Sequence, residues 1–509
     1  MFFVSTRNAK TLSHFKDAVL NIIPDQQGGL FAPSFFTPMD FNKIYHLASN
    51  NYKDILIKIL HIFSDGYLSE ITLNKLLTDV FQNFNRGFGY IGRALKCYSD
   101  NIFTIQTLQD NLHVINLTHG PTGCCKDYGY CVAASIINHL SQQDGKTRAI
   151  IDVSNGISGL SSAWALKNKQ YLKGFILLCT KQEPSLKALV AQADKEINNV
   201  YFTHVDADCN FIDQMQYSIN KNNSLKEFTN LTFINEMNLL NILAYLPFFF
   251  KAYVRCNYKP FCVSVPTGNM SLGMAAFFAK KIGIPIKKII LATEKNDFFP
   301  TLQESKIAIN KDQIETGCSS FTVNIPSNFE RLLFYLYESN QASVKRTMEE
   351  LEGSGRYKIS DSLLAKFKEH FFVAECNNTF TIRQTIYSTI REKELYIEQH
   401  YALAKMGIDI AKSEIPNEVN NSPIVIFNTL DYRRNINFVN ASLGYDLEHV
   451  QYPWTEADIK NFHTTEIKAD ITEIMRYIAA YFDNPEKFKK MEKEHQHDTQ
   501  NNDENQQHK

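Results

Sequence analysis

Between about Leu112 and Thr429 the chain alternates two hydrophobic patterns. Short apolar or β-branched runs recur: HVINL, TRAIIDVS, GFILLC, VYFTHVD, FCVSVP, KKIILAT and FTVNI. Between many of them lie stretches with apolar residues at helical spacing, such as GYCVAASIINHLS and GMAAFFAKKIG. That alternation predicts an α/β protein built on largely parallel sheets. A last strand is expected in PIVIFNT, Pro423 to Thr429, after a long helical stretch containing REKELYIEQHYALAKMG. The first hundred residues read differently. A Gly/Pro-rich loop, PDQQGGLFAP, follows a first helix, and YKDILIKILHIF from Tyr52 repeats its apolar residues at helical spacing.

These shifts divide the chain into an N-terminal cap segment over residues 1–95, an α/β region over 96–488, and a polar tail over 489–509. Within the α/β region a smaller, interleaved subdomain is expected at about 127–250. The tail, rich in Lys, Glu, His, Gln and Asn, has too few apolar residues to form a core and reads as disordered.

Composition narrows the class. With 509 residues, one core is too few, so two or three are expected. Lys plus Arg total 53 against 54 Asp plus Glu, which speaks against a strongly basic nucleic-acid binder. Ten scattered cysteines without paired CxxC halves suggest free thiols in a reducing compartment rather than disulfides or a metal site. The most apolar stretch, Leu239 to Val254, is shorter than a membrane span and contains Asn241, Pro247 and Lys251, so a buried helix is expected. MFFVSTRNAK has no apolar stretch of signal-peptide length. A cytoplasmic protein that binds neither membrane nor nucleic acid, monomeric or homodimeric, is the expectation.

Three strand-to-helix loops carry candidate chemistry, since ligands in α/β sheets gather at the carboxyl ends of strands. HGPTGCCKD, His119 to Asp127, places Lys126 at a helix start, where a cation is electrostatically misplaced. An amine meant to attack an aldehyde would explain it; a surface lysine in a turn explains it as well. In SVPTGNMSLGMAAFFAKKIG, the loop Thr267, Gly268, Asn269, Met270 and Ser271 precedes an apolar helix whose N–H groups can cradle a phosphate. DVSNGISGLSSAWAL offers Ser154, Asn155 and Ser158 to a small carboxylate or ring oxygen, although Ser and Asn are ordinary helix caps too.

In this order, the loops resemble threonine synthase, a fold-type II pyridoxal-phosphate enzyme. HGPTGCCKD is similar to the family's His-Gly-Pro-Thr lysine loop, and Pro266 to Asn269 to its cofactor-phosphate loop. SNFERLLFYL, Ser327 to Leu336, matches a family stretch nearly letter for letter. Ser5 to Arg7, GGLFAP and EQHYALAKMG also have family counterparts. The resemblance covers about Ser5 to Thr429. It implies two open, mostly parallel α/β domains and pyridoxal 5'-phosphate held as a Schiff base by Lys126. Thr267, Gly268, Asn269, Met270 and Ser271 would hold the cofactor phosphate, and Thr429 would meet the pyridine nitrogen. Ser154, Asn155, Ser158, Asn235 and Asn238 would hold a phosphorylated amino acid, O-phospho-L-homoserine, which water converts to L-threonine and phosphate.

The sequence also departs from the family pattern. Cys125 replaces the usual Phe before the lysine, and Ile157 replaces an Asp. The usual Asn-Ser-Ile-Asn reads Asn235-Glu236-Met237-Asn238, with Asn241 where an arginine is usual. Met270-Ser271-Leu272 stands for Phe-Gly-Asp. These changes keep open a related lyase or β-substitution enzyme with another substrate, and a non-catalytic paralogue.

Overall fold

The computed structural model describes residues 1–509 except 22, 25–26, 83, 85–95, 100–101, 110, 155, 180–183, 208–210, 212–214, 216–217, 220–221, 313, 315, 317–318, 322, 448–463, 484–485, 487 and 489–509. The chain forms two compact units. One comprises Met1–Ile136 with Ile234–Pro453, the other Ile137–Phe233 with Trp454–Lys509. The smaller unit therefore differs from the expected span of about 127–250 by including a C-terminal part. The polar tail lies outside the described residues.

The larger unit opens with a small antiparallel sheet, β1 (Phe3–Ser5), β2 (Leu12–Ser13) and β3 (Phe31–Pro33), in the order β2-β1-β3. The end of the Gly/Pro-rich loop is thus a strand. Three helices follow, Phe41–Ser49, Tyr52–Phe63 and Glu70–Phe81, each started by an Asp, Asn or Ser whose side chain accepts a backbone N–H.

Its main sheet has seven strands. In chain order, β4 (Lys96–Ser99), β5 (Thr104–Gln109) and β6 (Leu112–Asn116) come first. The chain returns to this sheet as β10 (Phe261–Pro266), β11 (Ile286–Thr293), β14 (Phe371–Glu375) and β15 (Ile424–Asn428), and the spatial order is β14-β11-β10-β15-β6-β5-β4. β15 lies between two strands far earlier in sequence, with Ile424 opposite both Cys262 and Leu112, parallel on each side. All five of its residues are buried, as a central parallel strand requires. The antiparallel edge is β4-β5-β6.

The helices that matter below are α1 (Lys126–Asp144), α2 (Leu239–Arg255), α3 (Ser271–Ile282), α4 (Phe329–Leu336) and α5 (Gln399–Glu414). α2 is the expected buried helix, with Pro247 inside it. No helix among the described residues is long and apolar enough to cross a membrane.

One expected strand is absent. FTVNI begins in a 3-10 turn, Ser319–Phe321, and residues 323–325 carry no strand. The Phe321 carbonyl is taken by the Asn296 amide at 2.6 Å, and Pro326 follows, so this backbone bonds to a side chain rather than a ladder.

The smaller unit holds a second parallel sheet, β7 (Arg148–Ser154), β8 (Leu172–Cys179) and β9 (Val200–Val205), joined at its edge by β16 (Thr465–Ile467), in the order β16-β9-β8-β7. Here too strands alternate with helices, Ile157–Leu166 and Pro184–Glu196.

Candidate active site

Lys126 begins α1 directly after the loop that leaves β6. Two features shape this turn. Gly123 has φ +76°, in the left-handed region that suits glycine. A Cβ at Gly120 would lie 2.4 Å from the Asp127 carboxylate, so only glycine admits that side chain. Asp127 is fully buried and accepts from the Thr122 N–H and hydroxyl, both at 2.8 Å. An acid in the first turn also suits the helix N-terminus, offsetting the lysine beside it.

The loop is locked to the end of β15. The Cys125 N–H donates to the Thr429 carbonyl at 2.8 Å, and the Asp431 N–H donates to the Gly123 carbonyl at 2.8 Å. Arg434 Nε donates to the Thr122 carbonyl at 2.5 Å. Lys126 and Thr429, far apart in sequence, are therefore held side by side by backbone bonds. The Cys125 carbonyl also accepts the Tyr245 hydroxyl of α2 at 3.1 Å.

Thr429 is buried, and its hydroxyl shares a 2.9 Å hydrogen bond with His400 Nδ1. His400 is set at the start of α5 by Glu398, whose Oε1 accepts the His400 N–H at 2.9 Å. Burial first, and the Lys126 charge second, push the imidazole down to about 3, so it is neutral at physiological pH. Burial raises the Glu398 carboxyl well above its ordinary range.

The Lys126 ammonium meets a carboxylate absent from the family pattern. Glu236 Oε1 lies 2.5 Å from Nζ, and both side chains are 17% exposed. Burial would raise the Glu236 carboxyl, but the Lys126 charge prevails and holds it below its ordinary value. The loop that presents Glu236 is tightly held. Asn235 Oδ1 accepts the Met237 N–H, and the Glu236 and Met237 carbonyls accept Asn328 Nδ2 at 3.2 Å and Arg331 Nη2 at 2.8 Å.

Asn328 and Arg331 come from the SNFER segment at the start of α4, and both are buried. Asn328 Nδ2 also donates to Ser271 Oγ at 3.0 Å, its N–H reaches the Asn269 carbonyl at 3.3 Å, and its Oδ1 accepts Arg331 Nη1. Next in line, Glu330 accepts from Thr6 and, at 2.8 Å, from Arg7 Nη2. One short helix thus ties together the N-terminal strand, the Glu236 loop and the loop before α3.

That last loop runs from β10 into α3. Met270 has φ 68°, Asn269 Oδ1 accepts the Ser271 N–H at 2.9 Å, and Thr267 Oγ1 donates to the Val265 carbonyl at 3.0 Å. The first intrahelical bond is Met274 N–H to Met270 O, so the Leu272 and Gly273 N–H groups precede the ladder. Gly268 is required for packing: a Cβ there would lie 2.1 Å from the Ser320 carbonyl.

Of the residues expected to hold substrate, Asn235 lies in the Glu236 loop, while Asn238 caps α2 with Oδ1 and donates Nδ2 to the Val19 carbonyl at 3.1 Å. Ser154 and Ser158 lie in the smaller unit, where their hydroxyls are 2.8 Å apart and Ser154 Oγ accepts the Gly156 and Gly159 N–H groups. Asn155 lies outside the described residues. Asn241, standing where an arginine is usual, donates to the Ile234 and Asn235 carbonyls, and its Oδ1 would be 2.0 Å from a Cβ at Gly129. It braces the loop against α1. Sequence reasoning did not select Glu236, His400, Asn328 or Arg331 as site residues. The available signal was polar residues in short segments otherwise apolar or matched to the family.

A family profile, Threonine synthase N terminus, matches residues 2–81. Threonine synthase of Methylobacillus glycogenes is 24% identical, the alignment covering 79% of this chain and 85% of that one. The human protein Threonine synthase-like 2 is 23% identical over 79% of this chain and 82% of its own. The solved structure of pyridoxal-phosphate-bound threonine synthase from Brucella melitensis superimposes with a TM-score of 0.82 at 21% identity, covering 94% of this chain and 98% of that one. The chain is thus similar to threonine synthases in its N-terminal segment, along most of its length and in its fold. Its fold is that of the fold-type II threonine synthases, and yeast threonine synthase shares it with a TM-score of 0.79 at 20% identity, covering 94% of this chain and 98% of that one.

Proposed function

We propose that this protein is a pyridoxal-phosphate-dependent lyase that converts O-phospho-L-homoserine and water to L-threonine and phosphate. The observation that carries the reading is the pair of backbone bonds locking the Lys126 loop to Thr429. They set a primary amine and a buried hydroxyl, itself bonded to a neutral imidazole, at the carboxyl end of the central strand. The residues fit the cofactor: Lys126 would hold its aldehyde carbon, Thr429 would face the ring nitrogen, and the Thr267 to Ser271 loop with the first turn of α3 would hold its phosphate. A hydroxyl facing that nitrogen leaves the ring less protonated than a carboxylate would.

Bound there, pyridoxal phosphate supplies an electron-withdrawing ring that spreads the charge left when a proton departs beside the substrate nitrogen. Lys126 moves protons at the substrate α and β carbons. Ser154, Asn155, Ser158, Asn235 and Asn238 are the proposed substrate contacts. Of these, Asn238 has its amide already engaged at both ends.

A second reading keeps the fold and cofactor but changes the substrate. Glu236 adds an anion beside Lys126, and Asn241 is packed against Gly129 in place of a cation. Both changes make the site less favourable to a phosphorylated substrate, by about 1.5–3 kcal/mol for each charge-assisted bond lost. The test gives the cofactor-loaded protein O-phospho-L-homoserine and measures threonine and phosphate beside a Lys126→Ala control. Equal amounts of both, absent in the control, support threonine synthase. Phosphate without threonine, or turnover only on other amino acids, favours the second reading. Turnover undiminished in Lys126→Ala refutes both.

A further inference from the structure

We propose that Glu236 is the proton partner of Lys126, a carboxylate that takes up and returns the proton of Nζ each time this amine is released and re-engaged. The inference rests on the role of Lys126 proposed above and adds a residue to that site. Lys126 Nζ lies 2.5 Å from Glu236 Oε1, with both side chains largely withdrawn from water.

The other groups facing this pair are unsuited to the task. Asp127 is occupied through both carboxylate oxygens by Thr122. His400 shares Nδ1 with Thr429 and is held neutral down to about 3. Cys124, Cys125, Tyr130 and Tyr245 also bear on the pair; they are thiols and phenols, and an ionised form of any of them would crowd charge beside Glu236. Glu236 is aimed by two buried side chains of another element, through the Asn328 bond to its own carbonyl and the Arg331 bond to the next. Such bracing suits a group whose position matters.

The proton count closes without a further acid or base. An incoming ammonium must lose one proton to become the nucleophilic amine. Lys126 leaves its bond as an amine and gains one to become an ammonium. Glu236, adjacent to Nζ, can carry that single proton from one nitrogen to the other, ending ionised as it began.

A carboxylate beside an amine favours the protonated amine, so removing it must lower the pH at which Nζ loses its proton. The full chain, freed of cofactor, is labelled with trace acetic anhydride across a pH series, and mass spectrometry of the Lys126 peptide gives the labelling midpoint. Glu236→Gln is expected to move the midpoint down by about 1–2 pH units, making Lys126 roughly 10–100-fold more reactive at a fixed pH below both midpoints. Glu236→Asp should fall between the two. In the cofactor-loaded chain, the absorbance of the lysine-bound cofactor should titrate at a correspondingly lower pH in Glu236→Gln. If Glu236→Gln fails to fold by circular dichroism, Glu236→Ser, which restores the usual family residue, carries the same expectation. Midpoints unchanged within 0.3 (about twofold in reactivity) overturn the proposal. Because labelling needs neither cofactor nor turnover, a failure of the lyase reading would leave this result separately readable.

Discussion

Replacing Asn328 by alanine tests whether the SNFER helix is the brace of the site. The side chain is fully buried and makes three bonds that alanine cannot: Nδ2 to the Glu236 carbonyl at 3.2 Å, Nδ2 to Ser271 Oγ at 3.0 Å, and Oδ1 from Arg331 Nη1. Each neutral bond contributes about 1 kcal/mol net, and a buried guanidinium deprived of an acceptor costs about 1.5–3 kcal/mol more. The expected loss is therefore about 3–5 kcal/mol. Both tryptophans, Trp164 and Trp454, belong to the smaller unit, so tryptophan fluorescence is a poor reporter for this change. Hydrogen–deuterium exchange of peptides covering residues 234–240 and 268–274 reads it directly. Both peptides should exchange roughly 10²–10⁴-fold faster, and together, because one side chain serves both. Asn328→Asp, which keeps the acceptor for Arg331, should recover part of the protection. Unchanged exchange in either segment would sink the idea that Asn328 couples them.

Gly268→Ala places a Cβ 2.1 Å from the Ser320 carbonyl, so the loop or the 3-10 turn must shift. We expect at least a tenfold loss of pyridoxal-phosphate affinity, measured by reconstitution titration; unchanged affinity would show that the loop yields freely. Acid should destabilise the larger unit through His400. The folded protein holds its imidazole at about 3, below the ordinary value of about 6.5, so the unfolded chain binds the extra proton between those values. Stability is full above about pH 6.5 and falls as pH drops toward 3, by about 4 kcal/mol from this group. His400→Gln should flatten that part of the denaturation profile, and an equal slope in both proteins would refute it.

Much of the fold was legible because parallel strands buried on both faces read as short apolar runs, and their helices as amphipathic ones. Lys126 stood out through its position at a helix start, and PTGN through its loop between strand and helix. Other features were hidden for physical reasons. β1, β2 and β3 have two or three residues each, too few for a period to show. FTVNI has strand composition, yet its backbone bonds to Asn296 instead. The meaning of Glu236 depended on a lysine far back in the chain, and no local pattern encodes that meeting. Asn241 drew notice as a lost cation, but only packing revealed that it fastens a loop to α1.

The late arrival of β15 has a consequence for synthesis. β6 is complete at Asn116 and β10 at Pro266, yet the strand that joins them begins only at Ile424. At ribosomal speeds of 5–20 residues per second, roughly 15–60 s pass between the emergence of Asn116 and that of Ile424. β6 presents an open hydrogen-bonding edge throughout that interval, and β10 does so from its own emergence onward. The nascent chain must therefore be shielded until Ile424 appears, and a ribosome stall before that point would leave exposed strand edges rather than a smaller folded protein.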